Sequence, residues 1–166
     1  MYKTKIENII KELSEIDISE VSDFSNLFRN NKRSDFSGIE EWDVSHVKNM
    51  RAMFYNAENF NSDISSWDVS NVINMNNMFA SASNFNQPLN DWDVSSVTNM
   101  EGMFYKAISF NQPLDNWDVS NVTNMNNMFS GATSFNQPLN DWDVSNVTNM
   151  SGMFVDAIAK RIAKIF

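Results

Sequence analysis

The chain has 166 residues, 42% of them hydrophobic, which suffices for one folded unit with its own core. Its formal charge of −9 is unevenly spread: between Ala52 and Ala159 the only basic residue is Lys106, against eleven Asp and Glu, so the basic footprint that a nucleic-acid partner needs is missing. It has no cysteine, which excludes a disulfide framework and a thiolate metal site, and no stretch approaches the roughly 20 apolar residues of a membrane helix or the apolar region of a secretory signal.

Residues 1–15, MYKTKIENIIKELSE, place Ile6, Ile9, Ile10 and Leu13 on one side with lysine and glutamate opposite, which predicts an N-terminal capping helix. Residues 16–154 are a run of repeats starting near 16, 42, 67, 92, 117 and 142. The first is worn: Ile16, Ile18, Val21, Phe24, Leu27 and Phe28 stand where later copies have Trp, Val, Val, Met, Met and Phe, and it lies 26 residues from the next. From there Trp42, Trp67, Trp92, Trp117 and Trp142 recur every 25 residues.

Within a copy, Trp117 and Val119 alternate with Asp118 and Ser120, the period-two pattern of a short strand with one buried face. In the copy before it, Val97, Met100, Met103, Phe104 and Ala107 follow at a spacing read as one face of a short helix, with Ser95 or Ser96 as N-cap. Pro113 then opens an extended path. The expectation is an α/β fold of about six strand-turn-helix repeats. Such a unit closes no core alone, so the copies must stack as a solenoid.

The columns Trp67, Trp92, Trp117; Met75, Met100, Met125; and Phe79, Phe104, Phe129 are the expected core. A methionine stripe at this spacing beside phenylalanines reads as packing rather than as a metal surface. Residues 155–166 leave the pattern, with Ile158, Ile162 and Ile165 facing one way and Lys160, Arg161 and Lys164 another, and predict a closing helical cap. With both ends capped, a monomer that serves as a binding scaffold is expected; the alternative is a structural or self-assembling solenoid without a soluble ligand, against which the caps argue.

The string FNQPLDNWDVSNVTNMNNMF, Phe110 to Phe129, closely resembles the repeat of BspA-like leucine-rich-repeat bacterial surface proteins, and the resemblance covers residues 16 to about 155. It implies a right-handed leucine-rich-repeat-like solenoid and a role in adhesion or host contact at a bacterial cell surface. No signal is visible in this chain, which leaves a cytoplasmic location open.

Chemistry is sparse. His46, the only histidine, sits where Asn71, Ser96, Asn121 and Asn146 stand in other copies, and there is no glycine-rich phosphate loop, so no enzyme is expected and no catalytic residue is assigned. The remaining candidates are Asp43, Asp68, Asp93, Asp118 and Asp143, one per copy, projecting beside their neighbours. Three readings fit them. Each Asp accepts hydrogen bonds from its own turn; together they form an acidic strip for a basic protein or glycan partner; or they hold calcium, the one cofactor considered, for which the Asp-rich nonapeptide signature is absent. Two asparagine columns, Asn49 to Asn149 and Asn61 to Asn136, read as structural ladders.

Overall fold

The computed structural model describes residues 13–157. Equivalent residues of successive repeats lie against one another as stacked rungs. They are joined by one parallel single-residue bridge per junction, Asp23 to Asn49 and then Asn49, Asn74, Asn99, Asn124 and Asn149 in series. Inside the stack runs a column of phenylalanines, Phe28, Phe54, Phe79, Phe104, Phe129 and Phe154, with ring centroids 5.5 to 5.8 Å apart and planes nearly parallel. A second column, Phe60, Phe85, Phe110 and Phe135, lies beside it. Trp67, Trp92, Trp117, Met75, Met100, Met125, Phe79, Phe104 and Phe129 are all buried.

The α/β expectation is wrong. Among the described residues the only helices are two single 3-10 turns, Leu13–Glu15 and Ile39–Glu41, and strand pairing never extends past the isolated bridges. The leucine-rich-repeat-like architecture with helical caps falls with it. The caps placed at 1–15 and 155–166 lie outside the described residues, apart from the turn at Leu13–Glu15 and residues 155–157, which continue the turns of the last rung.

The physical reason lies in where the amides point. From Met100 the odd-numbered amides close consecutive four-residue turns: Met103 donates to Met100, Tyr105 to Gly102 and Ala107 to Phe104. The even-numbered amides leave the rung, Met100 donating to Asn124, Gly102 to Asn126, Phe104 to Met128 and Lys106 to Ser130. An α-helix would keep every amide inside the segment, and a strand would send none into such turns. This backbone does both, by alternation.

The alternation needs left-handed residues. The third residue of the first turn has positive φ in each rung, at Asn26, Ala52, Asn77, Gly102, Asn127 and Gly152, and so has the third residue of the last turn, at Asn30, Asn56, Ser81, Lys106, Gly131 and Asp156. Asn, Gly and Asp dominate both columns, the residues that tolerate this region. Their recurrence two places after the first methionine was the sequence signal against a helix.

The Trp-Asp-Val-Ser segment is not a strand for a related reason. Its burial does alternate, Trp and Val inside and Asp outside. Its backbone bonds, however, stay local: Trp117 donates to Leu114 and Val122 to Val119, and the Ser120 amide is taken by the Asp118 side chain. Only past the second valine does a link cross the rungs, Thr123 donating to Thr98 and Thr148 to Thr123.

Candidate functional site

The aspartate column forms the corner of each rung. In an Asp-x-Ser sequence a carboxylate reaches the amide two residues on and closes an Asx turn. Asp43, Asp68, Asp93, Asp118 and Asp143 each accept the amide of Ser45, Ser70, Ser95, Ser120 or Ser145 at 3.0 Å. The hydroxyls of Ser45, Ser70 and Ser95 add a second bond of 2.6 to 2.7 Å to the same oxygen. The serines predicted as helix caps thus donate, and the aspartates accept.

All these bonds fall on Oδ1, and among the described residues no protein donor reaches Oδ2 of the five. All five side chains are exposed. The Ser45 and Ser70 hydrogen bonds hold Asp43 and Asp68 below the ordinary carboxylate range, while the charge of Asp43 pushes the other way on Asp68. Asp118 is lowered by Ser120 and opposed by the charge of Asp143, itself lowered by Ser145. These four are therefore ionised at neutral pH, and Asp43 and Asp68, like Asp118 and Asp143, feel one another's charge across adjacent rungs.

The corners are tied between rungs by polar side chains. Nδ2 of Asn71, Asn121 and Asn146 donates to the Ser45, Ser95 and Ser120 carbonyls at 2.7 to 2.8 Å. His46, in the same position, places Nε2 3.0 Å from the Ile18 carbonyl, a structural tie to the preceding rung. Each tryptophan does likewise from inside: Nε1 of Trp67, Trp92, Trp117 and Trp142 donates to the carbonyl of Ile39, Ile64, Leu89 or Leu114, 28 residues back.

The two asparagine columns divide their work. Oδ1 of Asn61, Asn86 and Asn111 accepts the amide of Asn86, Asn111 and Asn136 in turn, a ladder across rungs. Asn49, Asn74, Asn99, Asn124 and Asn149 instead accept the amide two residues on, closing the Asx turn that starts the Met-Met-Phe arm. No buried side-chain nitrogen or oxygen among the described residues lacks a partner.

Sequence reading passed over a second acidic column. Asp91 lines a shallow depression with Asp93 and Asp118, beside the edge of Trp92. The Asn-Asp-Trp-Asp string, repeated at 90–93 and 140–143, carried that signal. Among the described residues no three carboxylate or imidazole side chains converge on a point, so geometry gives the calcium reading no support. The one salt bridge among the described residues is Lys32 with Glu58, 2.7 Å, and it involves none of the five corner aspartates.

Compared with known protein families, the chain matches over residues 1–95 and again over 88–163 a family described as Mycoplasma protein of unknown function, DUF285. No curated protein matches it.

Proposed function

We propose a role for this chain, which belongs to the DUF285 family, as a non-enzymatic repeat scaffold that binds a macromolecular partner, a protein or glycan carrying cationic groups, through its acidic corner. The observation that carries this reading is the exposed aspartate on five successive rungs, each held by its serine and each with Oδ2 met by no donor among the described residues. A fixed carboxylate binds with less ordering cost than a free one, and rungs about 4.8 Å apart present equivalent charges to an extended partner. Surface location and adhesion belong to the same proposal, supported by the resemblance of Phe110 to Phe129 to the BspA-like surface repeat.

The test is capture from host-cell and matrix extracts by the parent chain and by an Asp68→Lys, Asp93→Lys, Asp118→Lys variant whose circular dichroism matches the parent. A partner retained by the parent alone, and released by salt as exposed charge pairs should be, supports the reading. Equal retention by both chains removes the acidic corner from it.

A further inference from the structure

The rungs have a polarity that the ends do not share equally. In the Met-Met-Phe arm, amides point toward the following rung and carbonyls toward the preceding one. The last described rung therefore presents the amides of Met150, Gly152, Phe154 and Asp156 outward, and no carbonyl among the described residues accepts them. The first rung presents the opposite row: by register, the carbonyls of Asp23, Ser25, Leu27 and Arg29 face out, with no donor among the described residues. One end is a row of donors and the other a matching row of acceptors.

Side chains carry the same complementarity. The left-handed column runs Asn26, Ala52, Asn77, Gly102, Asn127, Gly152, asparagine alternating with a small residue, and Asn77 and Asn127 each cover the glycine of the next rung. A Cβ at Gly102 would lie 2.3 Å from Oδ1 of Asn77, and one at Gly152 would lie 2.3 Å from Oδ1 of Asn127. After Gly152 the alternation calls for asparagine, and the first rung offers Asn26. The phenylalanine column ends at Phe154 and begins at Phe28, which already stacks on Phe54 at 5.6 Å with planes 1° apart.

Both ends also leave apolar surface open: Val155 is 51% exposed on one, Leu27 and Val21 are 47% and 41% exposed on the other. One pair of opposite charges meets at such a junction: exposed Arg29 stands in the column of Val155, next to that of exposed Asp156.

We propose that a second copy of this chain docks its first rung on the last rung of the first, head to tail, continuing the internal ladder, the Asn and Gly alternation and the phenylalanine stack across the junction. The contact is heterologous, so it propagates rather than closing at two. It replaces the monomer expected from the sequence and uses a surface separate from the acidic corner.

Sedimentation of the full chain over a rising concentration series tests it. The mass should grow in whole-chain multiples. Arg29→Glu and Asp156→Arg, each with unchanged circular dichroism, should weaken association roughly tenfold by setting like charges across the junction. The Arg29→Glu, Asp156→Arg double variant should recover it. A chain that stays monomeric at every concentration overturns the proposal. Association that both single variants leave unchanged, or that the double variant fails to recover, overturns it equally.

Discussion

The two sides of a rung solve the same stacking problem differently. In the Met-Met-Phe arm the backbone itself crosses between rungs, four amides per junction, and nearly every apolar side chain is buried. In the Asp-x-Ser corner the backbone bonds stay within the rung and the ties between rungs are made by side chains: tryptophan from inside, asparagine or His46 from outside. The arm therefore carries the cohesion of the stack, while the corner leaves a charged, solvent-facing edge whose chemistry is free to serve binding.

The sharpest way to break that contrast is in the arm. Phe104 is fully buried and stacked on Phe79, Phe110 and Phe129, so Phe104→Ala should cost about 3–5 kcal/mol in denaturant unfolding. Gly102→Val should come next, roughly 2–3 kcal/mol, since it places a β-branched residue at φ 58 against the Asn77 side chain. If Gly102→Val were as stable as the parent, the alternation of asparagine and glycine would have no steric basis.

The corner should answer weakly. Asp118→Ala removes one exposed Asx turn, and we expect a change within about 0.5 kcal/mol. The corner's contribution should instead show in acid. Asp43, Asp68, Asp118 and Asp143 have folded pKa values below the unfolded one, so their stabilisation is complete above the ordinary carboxylate range and is lost as pH falls through the lowered values. Unfolding midpoints followed from neutral pH down through 4 should fall for the parent and fall less for a chain with all four changed to Asn. Parallel curves would mean that the serine bonds add nothing to the folded state.

The period, the burial of the Trp, Val, Met and Phe columns and the exposure of the aspartates were all legible in the sequence, because strict recurrence forces equivalent residues into equivalent environments and partition between water and core follows side-chain chemistry. The Asp-x-Ser turns were legible as one of three readings. Backbone geometry was not. Val97, Met100, Met103, Phe104 and Ala107 are buried on one side whether the segment is a helix or a series of linked turns, so their spacing cannot separate the two. What separates them is the destination of each amide, and half of those amides bond to a rung about 25 residues away in sequence. The sequence by itself determined the repeat and its inside and outside; only the stacking of neighbours decided that neither helix nor strand would form, because the carbonyls that draw those amides out of the rung exist only once the next rung is in place.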